Sequence, residues 1–208
     1  MKHKLITIIG PIGSGKTTVS HTLSQELKLP LIDADLFEQN PFLSGYIRSI
    51  KRWAFTTELF FTIKRIKKLN NLKKLLSKSS VIVDSGLIMS HQVYTKNHLT
   101  QGNMTAAEWD FFSEIISDYQ KSIPNPNIIV QLLAKPETQL KRIKKRGRSF
   151  ESGYTLKYLK QITDRLDEYA RSIQNQPDIT LITFNTDKYN IHSKPGKSHL
   201  LTQINASI

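Results

Sequence analysis

The sequence predicts an α/β protein in which a five-stranded parallel sheet carries helices on both faces. Short apolar segments rich in β-branched residues recur along the chain, and stretches with helical spacing lie between them. The predicted strands are residues 4–10, Leu29–Asp33, Ser80–Asp84, Asn127–Leu133 and Ile179–Phe184. With 208 residues, the chain is long enough for a substantial core, and we expect residues 1–208 to form one domain.

Helical patterns follow each of the first four strands. They cover residues 16–27, about 42–78, 86–101, 105–122, Pro136 to about Lys145, and about 154–174. The helix that begins at Pro136 is expected to stop at Gly147, because proline suits the first helical position and glycine the position after the end. From about residue 190 to 208 the pattern predicts a tail made of a loop followed by a short helix or disorder.

Composition excludes several classes of protein. The chain has no cysteine, so it forms neither disulfides nor thiolate metal sites. No apolar run approaches the roughly 18 residues of a membrane span, and the first apolar stretch is the first strand rather than a signal peptide. We therefore expect a cytoplasmic protein that has no membrane partner.

The net charge of +13 results from 30 Lys and Arg against 17 Asp and Glu. Much of the excess lies in Lys64–Lys68 and Lys73–Lys74, with apolar residues at helical spacing between the charges. A solvated helix face and a nucleic-acid surface both have this pattern. We favour the solvated face and expect no nucleic acid as partner.

The most informative motif lies directly after the first strand. Its residues are Gly10, Pro11, Ile12, Gly13, Ser14, Gly15, Lys16, Thr17 and Thr18, and they match G-x-x-x-x-G-K-[ST]. In such a loop, backbone N–H groups and the following helix N-terminus surround a phosphate. Lys16 can reach the β- and γ-phosphates, and the Thr17 hydroxyl can hold Mg²⁺. The motif predicts binding of a nucleoside triphosphate.

Two further charged groups follow predicted strands. Asp84 ends the third strand, where a protein with this loop holds Mg²⁺ through water; a turn or a helix cap is the other interpretation. After the fourth strand, Arg142, Arg146 and Arg148 form a basic cluster with a glycine before the last arginine. They are expected to stabilise a transferring phosphoryl group from a short lid at about 142–153, or to interact only with the helix dipole.

An acidic and aromatic region follows the second strand. An acceptor hydroxyl needs a carboxylate to take its proton, and a base-shaped acceptor needs aromatic walls. The candidate residues are Asp35, Glu38, Glu58, Trp53, Phe55, Phe60 and Phe61. Taken singly, each aromatic residue is equally typical of a protein core and each carboxylate of a protein surface. A phosphorylated acceptor needs positive charge around it, so the acidic residues in this region disfavour a nucleoside-monophosphate kinase. Arg48 and Arg52 lie nearby, however, and keep that class of kinase as an alternative.

In these motifs the sequence resembles the deoxynucleoside kinase family, most closely its bacterial deoxyguanosine/deoxyadenosine kinase branch. The resemblance covers about residues 4–185 and includes Gly10–Thr18, Glu38–Leu43, Arg52–Phe55, Glu58–Phe61, Gln101–Met104 and Arg142–Arg148. It implies a P-loop kinase fold with an arginine-rich lid. It also implies transfer of the γ-phosphate of ATP, with Mg²⁺, to the 5′-hydroxyl of a deoxynucleoside, in a homodimer or a heterodimer with a related kinase.

The resemblance also assigns roles to individual residues. The general base falls on Asp35, the contact to the sugar 3′-hydroxyl on Glu151, and the aromatic that stacks on the base on Tyr94; Tyr46 and Phe55 complete the candidate substrate residues. Two positions depart from the family pattern. Where the family has Asp-Arg-Ser after the third strand, this sequence has Asp84, Ser85 and Gly86, so the arginine is missing. The tyrosine that binds the sugar 3′-hydroxyl in the family aligns with Ile47. Either Tyr46 takes the place of that tyrosine, or Glu151 holds the sugar alone.

Glu58 is the residue that indicates which base is bound, since it stands where the family has a base-reading glutamine. An ionised glutamate offers only acceptors, and guanine presents two adjacent donors, N1–H and N2–H₂. We therefore expect phosphorylation of deoxyguanosine for nucleotide salvage. Deoxyadenosine or a broader set of deoxynucleosides is the alternative, and a non-catalytic P-loop protein that binds nucleotide or nucleic acid is a second one.

Overall fold

The computed structural model describes residues 3–33, 36–37 and 40–208. Its sheet has five parallel strands in the order β2-β3-β1-β4-β5. The strands are β1 (Leu5–Ile9), β2 (Leu31–Ile32), β3 (Val81–Asp84), β4 (Ile128–Leu133) and β5 (Thr180–Asn185). The predicted five-stranded parallel sheet is therefore confirmed, with boundaries that differ from the predicted ones by a few residues at most.

The central strand determines where a site can form. All five residues of β1 are buried, and β1 pairs in parallel with both β3 and β4. Because parallel strands end at the same edge of the sheet, the loop after β1 lies beside Asp84 at the end of β3. The phosphate-loop motif and the candidate metal-binding carboxylate thus meet at the carboxyl edge.

Helices connect the strands and cover both faces of the sheet. Those in the described residues are α1 (Lys16–Leu27), α2 (Leu43–Arg48), α3 (Ile50–Leu69), α4 (Leu72–Leu76), α5 (Leu87–Ser90), α6 (Lys96–Thr100), α7 (Ala106–Gln120), α8 (Pro136–Arg146), α9 (Leu156–Ile173) and α10 (Lys194–Asn205). A π-helical turn, His91–Thr95, joins α5 to α6, and a 3₁₀ turn, Ser149–Glu151, follows α8.

The region predicted to be helical at about 42–78 is helical over most of its length, but it is divided into α2, α3 and α4. Ser49 has φ −152° and ψ 84°, so the chain leaves the helical conformation between α2 and α3. Gly45 of α2 packs against the Trp53 indole of α3, where a Cβ would lie 2.8 Å from Cε2. The absence of a side chain at Gly45 lets α2 fold back onto α3.

The predicted helix at 86–101 is present, but it contains the π-helical turn. His91 begins this turn and stacks on Trp109, with 4.2 Å between the ring centroids. Its Nε2 lies 3.1 Å from the Ser113 hydroxyl. Burial lowers the pKa of His91 to about 4, so this histidine is neutral at pH 7.

The core has one layer on each face of the sheet. Beneath α1 and α10, buried side chains of β1, β3, β4 and β5 form one cluster, to which Leu200 and Ile204 of α10 contribute with no exposed surface. The tail at 190–208 thus contains a packed helix. Two clusters on the other face are covered by α3, α4 and α7 and by the π turn and α9. Across the described residues, no helix combines the length and apolar character that crossing a bilayer requires.

Candidate active site

The loop after β1 has the backbone conformation that its glycines allow. Gly13 and Gly15 have φ values of +77° and +95°, which other residues rarely adopt. A Cβ on Gly13 would also lie 2.8 Å from the carbonyl oxygen of Gln139. Helix α1 begins directly afterwards at Lys16, so its free N–H groups and its dipole face the loop. This arrangement is suited to binding a phosphate.

Lys16 folds back over this loop. Its Nζ donates to the carbonyl oxygens of Gly10, at 2.9 Å, and Pro11, at 3.0 Å. Burial lowers the pKa of Lys16 to about 8; Asp84 opposes this shift, while the positive charges of Arg146 and Arg65 add to it. A phosphate bound here would face an ammonium group with little hydration, so their attraction would be strong.

The Thr17 hydroxyl donates to Asp84 Oδ2 at 3.0 Å. Asp84 is only 3% exposed, and burial raises the pKa of its carboxyl group. The charge of Lys16 and hydrogen bonds from Thr17 and Ser85 act in the opposite direction. A hydroxyl and a carboxylate beside a phosphate loop are the hard oxygen donors that Mg²⁺ prefers, so these residues fit a magnesium ion held with phosphate and water.

A cavity of about 350 Å³ opens beside the loop and brings most of the predicted site residues together. Its lining includes Lys16, Thr17, Tyr46, Glu58, Asp84, Tyr94, Arg146, Arg148 and Glu151. These residues come from the loop, from β3, from helices α2, α3 and α8, from the π turn and from the 3₁₀ turn after α8. Residues far apart in the sequence thus converge on one site.

Glu58 lies in the wall of this cavity and is only 8% exposed. One of its oxygens, Oε2, accepts a hydrogen bond from the Thr95 hydroxyl at 3.1 Å. The other, Oε1, lies 3.9 Å from Nε2 of His98. A buried carboxylate at the cavity wall can accept hydrogen bonds from a ligand but cannot donate to it while ionised.

The structure distinguishes Tyr46 from its neighbour Ile47. Tyr46 lines the cavity, and its hydroxyl lies 3.2 Å from Nε2 of His98, whereas Ile47 is 46% exposed. Burial raises the pKa of Tyr46, as expected for a phenol inside a pocket. Tyr46 therefore occupies the inward position that the motif alignment gives to Ile47, one residue away.

Glu151 and Arg146 form a two-point ion pair. The guanidinium donates from Nε to Oε2 at 3.0 Å and from Nη2 to Oε1 at 2.5 Å, and the carboxylate side chain is 2% exposed. Arg148 also lines the cavity, with its guanidinium 5.8 Å from the ring centre of Phe37 and 5.9 Å from that of Phe150. The basic end of α8 thus reaches the site through Arg146 and Arg148.

Apart from Gly10, Pro11 and Ser14, which belong to the phosphate loop itself, three predicted site residues are not part of this lining as the structure describes it. Arg142 lies behind the loop, where it donates to the carbonyl oxygens of Gly13 and Ser14 at 3.3 and 3.4 Å and to Thr186. It borders a second cavity of about 720 Å³. Phe55 packs between α3 and α7 against Phe111 and Phe112. Asp35 lies outside the described residues.

Arg65 also lines the cavity, although the sequence pattern did not single it out. It lies seven residues after Glu58, two helical turns along the same face of α3, and this spacing was the available signal. Burial lowers the pKa of its guanidinium, against the attraction of Glu58 and Asp84. Within the described part of the chain its buried Nε has no hydrogen-bond partner. His98, Tyr154 and Tyr158 also line the cavity and were not singled out from the sequence, nor was Thr95, which donates to Glu58.

Comparisons with known proteins agree with this geometry. The model of the deoxynucleoside kinase family matches residues 6–208. The deoxyguanosine kinase of Bacillus subtilis (strain 168) is 31% identical over 183 residues, covering 88% of this chain and 86% of that protein. The deoxyadenosine/deoxycytidine kinase of the same organism is 23% identical over 184 residues, covering 86% and 82%.

A solved structure shares the fold. Deoxyadenosine kinase from M. mycoides with bound dCTP superposes with a TM-score of 0.80 at 20% sequence identity, covering 97% of this chain and 99% of the other. The parallel sheet, the phosphate loop after β1 and the family match over residues 6–208 lead to one conclusion. This chain belongs to the deoxynucleoside kinase family, and its activity is deoxynucleoside phosphorylation.

Proposed function

We propose that this kinase transfers the γ-phosphate of ATP to the 5′-hydroxyl of deoxyguanosine, giving dGMP and ADP for nucleotide salvage. The buried Glu58 carboxylate in the cavity wall is the observation that carries the choice of base. Its two oxygens match the two adjacent donors of guanine, N1–H and N2–H₂. The 31% identity to a Bacillus subtilis deoxyguanosine kinase supports the same choice.

On the donor side, the phosphates of ATP bind to backbone N–H groups of the loop that follows β1, to the first N–H groups of α1, and to Lys16. Thr17 and, through water, Asp84 would hold a magnesium ion, which when bound would supply positive charge beside the phosphate oxygens. Arg146 and Arg148 face the cavity and stabilise charge that develops on the transferring phosphoryl group. Arg142 acts through the loop itself, because its contacts are to the loop carbonyls.

On the acceptor side, Asp35 takes the proton of the 5′-hydroxyl as the oxygen attacks phosphorus. This role rests on the sequence pattern, since Asp35 precedes Asn40 by five residues. Glu151 binds the sugar 3′-hydroxyl, and the ring of Tyr94 stacks on the base. Tyr46 closes the wall beside Glu58. Phe55 supports this wall from the core side, through its contacts with α7.

Replacing Glu58 by glutamine tests the choice of base. Glutamine offers one donor and one acceptor, so it loses one contact with guanine and matches an adenine or cytosine edge. We expect the preference for deoxyguanosine over deoxyadenosine or deoxycytidine to fall by about 10- to 100-fold, the effect of one charge-assisted hydrogen bond. The measurement is kcat/KM with Mg-ATP for all four deoxynucleosides and their ribonucleoside counterparts.

The exposed Glu137 on α8 provides the control, and the Glu137→Gln variant is expected to keep the wild-type ranking. An unaltered ranking in Glu58→Gln would mean that other residues select the base. Wild-type protein that prefers deoxyadenosine, or accepts all deoxynucleosides equally, would support the broader alternative. Protein that binds ATP but phosphorylates none of them would contradict a catalytic role.

We also propose that the kinase is a homodimer, or a heterodimer with a related kinase, formed through α3 and α7. Phe111 on α7 is 53% exposed and its ring lies beside that of Phe55 on α3. The outer face of α7 carries acidic side chains, which include Asp110, Glu114 and Asp118. The outer face of α3 carries basic side chains, which include Lys51, Arg52 and Lys67. Two copies related by a twofold axis would pair these faces. A monomer mass in sedimentation at micromolar concentration would contradict the homodimer.

A further inference from the structure

We propose that His98 is a positioning residue that orients the Glu58 carboxylate for base recognition, with Tyr46 holding the imidazole in place. The inference rests on the proposed function, in which Glu58 reads the base. The inference adds to that function a residue on α6 that supports the Glu58 carboxylate. His98 is not part of the motifs by which the sequence resembles the family.

The Glu58 carboxylate has a hydrogen bond to one of its oxygens and a longer contact to the other. The Thr95 hydroxyl donates to Oε2 at 3.1 Å, and Nε2 of His98 lies 3.9 Å from Oε1. Thr95 and His98 are three residues apart, at the junction of the π turn and α6, so their side chains lie on the same side of the helix and face Glu58. Each carboxylate oxygen therefore has its own neighbour on the protein side.

Tyr46 and Glu58 both approach the same nitrogen of His98. The Tyr46 hydroxyl lies 3.2 Å from Nε2, and the two rings meet edge to face with 5.7 Å between their centroids. The other nitrogen, Nδ1, is buried and has no hydrogen-bond partner among the described residues. A proton on Nε2 lies between two oxygens, whereas a proton on Nδ1 would be buried without an acceptor. The geometry therefore favours the Nε2–H tautomer.

In this tautomer the N–H group lies 3.2 Å from the Tyr46 oxygen and faces Glu58 Oε1 at 3.9 Å, an electrostatic contact longer than a hydrogen bond. Burial lowers the pKa of His98, against the attraction of Glu58, so the ring stays neutral at pH 7. A neutral donor limits rotation of the carboxylate without cancelling its negative charge. The carboxylate thus keeps its capacity to accept hydrogen bonds from a base, while the Thr95 hydrogen bond fixes Oε2 and the His98 N–H dipole attracts Oε1.

The test uses two substitutions of His98 that differ in hydrogen bonding. His98→Leu keeps apolar bulk but removes the N–H group, and His98→Gln provides an amide N–H in its place. We expect His98→Leu to raise the KM for deoxyguanosine about 10-fold and to reduce the preference for it over deoxyadenosine, with kcat and the KM for ATP within about 2-fold. In the His98→Gln variant, we expect the KM for deoxyguanosine and the preference for deoxyguanosine to return at least partly to their wild-type values.

His91 provides a matched control, because it is also a buried histidine but contacts Ser113 and Trp109 rather than Glu58. His91→Leu is expected to change the melting temperature without changing the KM for deoxyguanosine or the base preference. If His98→Leu does not fold, Tyr46→Phe replaces it. That variant removes only the hydroxyl next to Nε2 and is expected to shift KM and preference in the same direction by a smaller factor.

A double-mutant comparison separates action through Glu58 from an independent effect. In a Glu58→Gln background, His98→Leu is expected to change KM by less than it does in the wild type. Equal changes in both backgrounds, or a folded His98→Leu variant with wild-type KM and preference, would overturn the inference and leave the proposed function intact. Wild-type protein that phosphorylates no deoxynucleoside would overturn both.

Discussion

Replacing Lys16 by alanine is expected to reduce the rate of deoxynucleoside phosphorylation by at least about 10³-fold. The Nζ of Lys16 is held over the phosphate loop by two backbone carbonyls and is shielded from water. Its charge therefore acts on the phosphates, and on the charge that develops during transfer, with little screening. The initial rate of monophosphate formation at saturating Mg-ATP measures the loss.

The low pKa of Lys16, about 8, adds a pH dependence to this prediction. Above pH 8 the free protein loses the ammonium charge, so ATP affinity is expected to fall between pH 8 and 9.5 in the wild type. The Lys16→Ala variant should lack this part of the pH dependence. Lys160→Ala, which removes an exposed lysine paired with Asp164 on α9, is the control and should behave as the wild type. An affinity independent of pH over this range would contradict the assignment.

Replacing Asp35 by asparagine is expected to abolish most phosphorylation, by about 10²- to 10⁴-fold, while ATP still binds. An amide of the same shape cannot take the proton of the 5′-hydroxyl. The comparison of ATP affinity with turnover is the measurement, because the Lys16 variant should lose both and the Asp35 variant only turnover.

Asp35→Glu is the matched control for this base. It provides the longer carboxylate that stands at this position in the family pattern and is expected to remain active. Unchanged turnover in Asp35→Asn would exclude Asp35 as the general base. Equal loss in the asparagine and glutamate variants would indicate that the position is needed for packing rather than for proton transfer.

Elements with a strong local signal were predicted well from the sequence. Apolar, β-branched runs in the sequence indicated the buried strands. Glycines indicated the phosphate loop, and two of them, Gly13 and Gly15, have positive φ in the structure. The division of residues 42–78 into separate helices was not predicted. Its cause is tertiary, since the contact of Gly45 with Trp53 allows the fold-back and leaves no pattern in the local spacing.

The same difference between local and tertiary information applies to the site. Arg142 and Arg146 share a helix face by their spacing of four, yet Arg142 contacts the loop carbonyls from behind while Arg146 reaches the cavity beside Glu151. Which of Tyr46 and Ile47 faces inward depends on how α2 folds back, so the sequence left both open. Neighbours of a predicted residue, such as Thr95 and His98 around Glu58, follow only from the packed structure.

With the roles proposed for Arg146 and Glu151, the ion pair between them links the binding of the two substrates. Arg146 engages both oxygens of Glu151, and it borders the cavity on each side of the phosphate loop. A sugar hydroxyl that binds Glu151 competes with Arg146 for these oxygens, and a phosphate that binds Arg146 competes with Glu151 for the guanidinium. We therefore expect each substrate to remove part of the free-energy cost of binding the other, so that binding of nucleoside and ATP shows positive cooperativity.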